Sequence, residues 1–148
     1  MLLNLILGLS TMVLCLFLQS VLLIVVLRYY AREKSQREET RFWTNMMLVK
    51  SVMLILVAGN LGQVGIWASL FQVLGEFEQF RDAFYHSAVN FATLGYGDIV
   101  MSEQYRLLGP MEAINGVLMI GVSTAALMAA FQDVIKNGPI KKHITKIP

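Results

Sequence analysis

Residues 1–27, MLLNLILGLSTMVLCLFLQSVLLIVVL, contain no charged residue. About 18 consecutive apolar residues are enough to predict a membrane-spanning helix. A secretory signal peptide begins with a basic segment, whereas here the basic residues Arg28, Arg32 and Lys34 follow the apolar run. The stretch therefore predicts a retained transmembrane helix whose N-terminus lies outside the cell.

The composition of the whole chain agrees with a membrane protein. Of its 148 residues, 56% are hydrophobic and 15% are charged, against about 25% charged residues in soluble domains. Two further apolar stretches, roughly residues 42–74 and 107–135, are long enough to span a bilayer. We therefore expect an all-α membrane protein with three transmembrane helices. Nucleic-acid binding has no support, because the basic residues flank apolar spans.

The distribution of charge predicts the orientation. Ten of the twelve basic residues lie on one side, at Arg28, Arg32, Lys34, Arg37, Arg41, Lys50, Lys136, Lys141, Lys142 and Lys146. The positive-inside rule makes that side cytoplasmic, which predicts a multi-pass plasma-membrane protein with a cytoplasmic C-terminus. The loop between the second and third spans then lies outside, and its acidic residues outnumber its basic ones, which would concentrate cations there.

That loop, residues 75–106, holds an apolar run at residues 83–92. About ten residues cannot cross a bilayer as a helix, so the run predicts a re-entrant helix. It leads directly into Thr93-Leu94-Gly95-Tyr96-Gly97-Asp98. Lipid cannot satisfy the polar backbone of such a segment, which needs surrounding protein. The loop therefore predicts an oligomer.

The glycine spacing in this segment suits an ion filter. A pore that passes a dehydrated cation must replace its water with protein oxygens, and backbone carbonyls do so without a full charge. For successive carbonyls to face one axis, alternate residues adopt left-handed dihedral angles, which glycine reaches without steric cost. Gly95 and Gly97 fit this pattern, and the Thr93 hydroxyl can add a further ring of oxygens.

Residues 93–98 resemble the signature of potassium channels, commonly TVGYGD, with Leu94 in place of valine. Over about residues 46–135 the chain is similar to the pore domain of the tetrameric cation channels. The resemblance implies a non-enzymatic homotetramer with one filter segment per chain, in contact with membrane lipids, and K⁺ as permeant ion without any cofactor. It places the filter at Thr93, Leu94, Gly95, Tyr96 and Gly97, with K⁺ held by the carbonyls of the first four, and the Tyr96 side chain directed at the pore helix.

The resemblance also suggests residues that support the filter: Asp98, Tyr85 and His86. Glu112 is a further candidate, because an ionisable residue inside a span is costly and indicates a functional role. Val89 stands where some members place a carboxylate that pairs with the filter aspartate. His86 is either an external pH sensor or a structural histidine. Glu112 is expected to bond Asn90 or a backbone group behind the filter; the alternative is a water-reached residue near the outer interface.

In the third span, Gly116 is either a hinge or a point of close packing. Val117, Ile120 and Thr124 are expected to face the water cavity, and Met128 and Gln132 to form the inner constriction. In the second span, glycines at 59, 62 and 65 would allow close approach of another helix. Trp43 and Trp67 are expected to mark the two membrane surfaces.

The expected organisation is a transmembrane helix at 1–28, a charged cytoplasmic connection at 29–42, a potassium channel pore domain at 43–135 and a basic cytoplasmic tail at 136–148. The spans lack regularly spaced arginines, so no voltage sensor is expected. An unidentified regulatory partner is left open, and peripheral packing is the default role for the first span. The alternatives are a less selective cation channel and a non-conducting accessory protein with a vestigial filter.

Overall fold

The computed structural model describes residues 1–35 and 42–137. Within these ranges the chain forms four helices: α1 (Leu2–Ser35), α2 (Phe42–Val73), α3 (Phe80–Phe91) and α4 (Leu108–Asn137). In the same ranges, α1, most of α2 and most of α4 are long and apolar enough to cross a membrane. The predicted all-α membrane fold with three spanning helices is therefore confirmed.

The first helix is longer than its apolar stretch. Its 34 residues extend about 51 Å at 1.5 Å per residue, whereas the bilayer core is about 30 Å thick. The apolar run ends at Leu27, and the helix continues through charged residues to Ser35. Of the predicted connection, residues 36–41 lie outside the described residues, as do residues 138–148 of the predicted tail.

The second helix ends in a turn that reverses the chain. Gly75 has a φ of 77°, and its amide donates to the Gln72 carbonyl while the Glu76 amide donates to the Phe71 carbonyl. This pair of bonds is a Schellman motif, in which glycine adopts the left-handed conformation at low cost. The turn directs the chain into α3, whose 12 residues extend only about 18 Å. A helix of that length is too short to cross a bilayer.

The core joins all three long helices. Trp67 and Phe71 of α2 are buried with Leu108 and Met119 of α4. Cys15 of α1 belongs to the same cluster. Trp67 was expected to mark a membrane surface, and this is wrong: its side chain is 0% exposed, because it packs inside the protein with its ring 5.9 Å from that of Phe71. The Trp43 side chain lies outside the described part of the chain.

The first helix packs on both α2 and α4. At Gly59 of α2, an added Cβ would lie 2.1 Å from a methyl carbon of Leu22. At Gly8 of α1, it would lie 2.5 Å from the Met111 sulfur. Glycine thus allows close helix approach at both points. The predicted glycine ridge of α2 has this role at Gly59, whereas nothing lies within 4 Å of a Cβ added at Gly62.

Candidate functional site

The end of α3, the predicted pore helix, leads directly into residues 93–97, the predicted filter, here called the filter segment. The Thr93 amide donates to the Asn90 carbonyl and the Leu94 amide to the Val89 carbonyl, each at 2.8 Å. These bonds again form a Schellman motif, but its left-handed position is occupied by Thr93, with a φ of 59°. A β-branched residue is a conformational outlier there. Such outliers cluster at functional sites, where the surrounding structure maintains them.

The filter backbone alternates in conformation. Residues 94–97 belong to no helix or strand. Positive φ angles occur at Thr93 (59°), Gly95 (57°) and Gly97 (72°), so every second residue is left-handed. Successive carbonyls can face one axis only if alternate residues are left-handed, which is the pattern that the glycine spacing predicts.

The filter segment has little cover from its own chain. All residues from 92 to 98 are exposed, including Leu94 at 55% and Tyr96 at 65%. The Tyr96 side chain is expected to point at the pore helix. With this exposure, α3 of the same chain covers that side chain at most in part. Apolar side chains and open backbone next to a re-entrant helix need protein around them, and a single chain does not supply it.

The residue after the filter is bonded to the pore helix. The Tyr85 hydroxyl donates to Asp98 Oδ2 at 2.6 Å, and the Ile99 amide donates to Asp98 Oδ1 at 3.1 Å. These bonds favour the carboxylate: the Tyr85 hydroxyl is the largest cause that lowers the pKa of Asp98, and the same bond raises the pKa of Tyr85. Val89 is apolar and 7% exposed, so Tyr85 is the pore-helix partner of the aspartate in this chain.

His86 connects the same helix to the segment beyond the filter. Its Nδ1 lies 3.0 Å from the Ile99 carbonyl oxygen, and its Nε2 lies 2.9 Å from the Asn90 amide nitrogen. The first contact requires a proton on Nδ1 and the second an unprotonated Nε2, so this arrangement fits a neutral ring. Burial is the largest effect on the histidine and lowers its pKa, with the Ile99 carbonyl acting in the opposite direction.

Glu112 lies behind the pore helix and is 0% exposed, so the alternative of a residue reached by water is wrong. Its Oε1 is hydrogen-bonded to the Ser87 hydroxyl, which also lies 2.8 Å from the Val64 carbonyl oxygen. The Asn90 amide nitrogen instead lies 2.9 Å from His86 Nε2, and Glu112 Oε2 has no hydrogen-bond partner among the described residues. Ser87 is the partner that sequence reasoning missed; a small polar residue within an apolar run was the only signal for it.

Gly116 lies where α4 crosses the end of the pore helix. A Cβ added there would lie 2.0 Å from the Phe91 carbonyl oxygen and 2.8 Å from the Phe91 carbonyl carbon. No side chain fits between these two backbones. Of the two roles left open for Gly116, the structure supports close packing. By contrast, nothing lies within 4 Å of a Cβ added at Gly121.

The two faces of α4 differ in burial. The predicted cavity and gate residues are exposed in the single chain: Val117, Ile120, Thr124, Met128 and Gln132. The opposite face is buried against the rest of the chain through Met119, Ser123 and Ala130. A long apolar helix with one free face, next to an exposed filter segment, fits a subunit whose free surfaces meet an axis or neighbouring subunits.

These features define a pore-loop membrane protein: two spanning helices enclose a short re-entrant helix that ends in a glycine-bearing segment. The model of an ion channel family matches residues 55–133, which is more than half of the chain and contains α3, the filter segment and most of α2 and α4. The chain belongs to this ion channel family, with α1 as an additional N-terminal helix. No individual curated protein and no solved structure gives a significant match.

Proposed function

We propose that the chain is one subunit of a homotetrameric, potassium-selective channel that conducts K⁺ passively across the plasma membrane. The observation that carries this proposal is the alternation of backbone conformation at Thr93, Gly95 and Gly97. It occurs where a re-entrant helix ends, between two spanning helices of an ion channel family domain. Carbonyl oxygens ordered in this way would replace the water around a dehydrated cation.

The strained threonine supports the same proposal. Glycine would fit the left-handed position at the end of α3 better than a β-branched residue does, but it would have no hydroxyl. In the proposed filter, the carbonyls of Thr93, Leu94, Gly95 and Tyr96 bind K⁺ in successive layers, and the Thr93 hydroxyl adds a layer at the inner end. Gly97 completes the turn to Asp98.

The fourfold assembly follows from what one chain lacks. Each chain carries one filter segment, whereas an ion on the pore axis must be surrounded by oxygens. The exposed filter and the exposed face of α4 would become the interior of the ring. In this arrangement Val117, Ile120 and Thr124 line the water cavity, and Met128 and Gln132 form the inner constriction.

The support for the filter is proposed to come from two directions. At the outer end, Tyr85 and His86 bond Asp98 and the Ile99 carbonyl. Behind the pore helix, Glu112 bonds Ser87 and so joins α4 to α3. The positive-inside rule supports a cytoplasmic location for the basic first connection and the basic tail, with the filter opening outside. K⁺ is the permeant ion, and no cofactor is needed for passive conduction.

Reversal potentials measured on the purified protein in liposomes, under a gradient of potassium against sodium, test the proposal. A reversal potential close to the potassium equilibrium value supports it, with block by barium as the control. A value midway between those of the two ions would instead support a less selective cation channel. Absence of current together with a tetrameric assembly would support a non-conducting accessory protein.

Glycine substitutions test the filter itself. Gly95→Ala places a side chain at a φ of 57°, which strains the backbone, and it should abolish potassium flux. Gly62→Ala is the matched control, because that glycine is helical and nothing lies within 4 Å of an added Cβ. Equal flux in both variants would remove the filter from the proposal. Native mass spectrometry of the assembly would oppose the fourfold ring if it detected only monomers or dimers.

A further inference from the structure

The first helix, α1, is bonded to both α2 and α4 within the apolar spans. The Gln63 amide donates to Gln19 Oε1 at 2.7 Å, and the Gln19 amide donates to Ser123 Oγ at 2.9 Å. All three side chains are buried: Gln63 is 3% exposed, Gln19 2% and Ser123 7%. Polar groups within spanning helices are costly unless they are bonded, and they hold helices together when they are. We call these three residues the amide contact.

A second contact joins α1 and α4 at their C-terminal ends. The Tyr30 hydroxyl donates to Asp133 Oδ2 at 2.7 Å and lies 3.4 Å from the Ala130 carbonyl oxygen. Lys34 forms an ion pair with the same carboxylate oxygen. A hydroxyl and an ammonium group from successive turns of α1 thus meet one carboxylate of α4. We call Tyr30, Lys34 and Asp133 the end contact.

The two contacts are in register. Gln19 and Tyr30 are eleven residues apart on α1, and Ser123 and Asp133 are ten residues apart on α4. At 1.5 Å per residue, the helices run side by side in the same direction over about 15 Å. The contacted part of α4 is its C-terminal half, which carries the proposed inner constriction at Met128 and Gln132.

The contacts lie on the face of α4 that points away from the proposed pore. Ser123 and Ala130 are buried against the rest of the chain, whereas Met128 is 54% exposed. At 3.6 residues per turn, Asp133 lies on the side of Ser123 and Ala130. If the constriction narrows, α4 must move toward the axis and hence away from α1. Hydrogen bonds and an ion pair between α1 and α4 oppose that separation.

We propose that α1 is a positioning element for the gate: the amide contact and the end contact hold the C-terminal half of α4 away from the pore axis and favour the conducting state. This inference rests on the proposed channel function and goes beyond peripheral packing as the role of α1. Gln19, Tyr30 and Lys34 act through α4, and none of them contacts the ion.

Charge exchange at the end contact gives the most direct test, read out as open probability in single-channel recordings from lipid bilayers. Asp133→Asn and Lys34→Asp should each lower the ratio of open to closed time by about threefold or more, since partly exposed ion pairs have effects of this order. The double variant Lys34→Asp with Asp133→Lys should restore most of the loss. Reversal potential and single-channel conductance should remain unchanged in all three, because the filter is not altered.

Arg32→Asp is the matched control, since Arg32 is an exposed basic residue two positions before Lys34 and the substitution changes the charge by the same amount. It should leave open probability near the wild-type value. The inference is overturned if the single variants keep or raise the open probability, if the double variant fails to restore it, or if Arg32→Asp lowers it as much as Lys34→Asp.

The amide contact is tested in the same recordings. Gln19→Leu removes both amide bonds of α1 and should also lower open probability, whereas Ser20→Ala removes an exposed hydroxyl bonded only to the Leu16 carbonyl of its own helix among the described contacts. Equal open probability in the two variants would remove the amide contact from the inference.

The outcomes separate this inference from the proposed function. If the wild-type protein conducts potassium and the variants behave like wild type, only the role of α1 fails. If the wild-type protein does not conduct, the channel proposal fails, and the contact itself is then measured by a double-mutant cycle of Lys34→Ala and Asp133→Ala on thermal unfolding of the assembled protein. Additive effects in that cycle would show that the two residues are not coupled.

Discussion

The backbone of Gly116 on α4 lies against the carbonyl group of Phe91, the last residue of α3, so closely that a Cβ atom at position 116 would be 2.0 Å from the carbonyl oxygen. Backbone atoms at a helix end cannot move aside as a flexible side chain can. The contact fixes the distance between α4 and the point where the predicted filter begins. It therefore connects the packing of α4 to the geometry of Thr93 two residues later.

Gly116→Ala should destabilise the assembled protein by about 1–3 kcal/mol, the usual cost of overpacking. The thermal midpoint in detergent measures the effect. Gly121→Ala is the control, because nothing lies within 4 Å of its added Cβ and alanine is favoured over glycine in a helix by about 1 kcal/mol. If Gly116 served as a hinge without close packing, Gly116→Ala would be as stable as Gly121→Ala and would change gating alone.

The outline of the fold could be predicted because lipid imposes length requirements that apolar runs display directly. The predicted re-entrant run at residues 83–92 corresponds to α3, Phe80–Phe91, and the glycine spacing predicted the alternation of backbone conformation. These features depend on residues that are close together in the sequence, so they can be predicted from the sequence alone.

The pairing of helix faces could not be predicted in the same way. A helix that is apolar on all sides carries no amphipathic stripe that identifies its packed face. The sequence therefore predicts a membrane-surface position for Trp67, which lies in the core, and it does not indicate that Gln19 and Tyr30 of α1 bond α4. The bond between Ser87 and Glu112, two residues 25 positions apart in the chain, depends on a crossing of α3 and α4, which no local pattern shows.

Ser87→Ala should destabilise the protein by about 1–3 kcal/mol, because it removes a partner of the buried Glu112 carboxyl group and leaves that group less well satisfied. Ser69→Ala is the control: Ser69 donates to the Gly65 carbonyl of its own helix and is exposed, so its loss should cost little. Thermal unfolding of the two variants measures this difference in stability.

If Glu112 supports the filter, Ser87→Ala should also shorten sustained potassium currents, and Ser69→Ala should not. Equal stability of the two variants would argue against a structural role for the Ser87–Glu112 bond.

Acidification should destabilise the contact between α3 and the segment at Ile99 through His86. Burial holds the pKa of His86 below its ordinary value of 6.5, so the folded state binds a proton less readily than the unfolded state does. The stability contributed by the neutral ring is therefore fully present above about pH 6.5 and is lost as the pH falls through the lowered pKa. Protonation of Nε2 would also oppose donation by the Asn90 amide.

The measurement for this prediction is the thermal midpoint of the purified protein between about pH 7.5 and about pH 5.5, a range in which an unperturbed histidine titrates. The wild-type midpoint should fall more steeply than that of His86→Gln, which does not titrate. Parallel pH profiles would show that other groups cause the loss. An effect on current under external acidification, absent in His86→Gln, would favour the pH-sensor interpretation over the purely structural one.

Thr93 should show opposing effects on stability and function. Thr93→Gly replaces a β-branched residue at a φ of 59° with the residue preferred at that position of a Schellman motif, and it should relieve strain of about 1 kcal/mol. It also removes the hydroxyl that is proposed to bind K⁺. A ligand that binds only the folded state raises its stability, and the gain grows logarithmically with the ratio of ligand concentration to dissociation constant. In the absence of potassium, the thermal midpoint of Thr93→Gly should therefore be higher than that of the wild type. When potassium is added, the midpoint of Thr93→Gly should rise less than that of the wild type.

Thr93→Ser keeps the hydroxyl and should retain the potassium-dependent rise together with conduction. If Thr93→Gly lost stability in the absence of potassium, or kept the full potassium-dependent rise, the threonine would not be retained for its hydroxyl, and the strain at position 93 would need another cause.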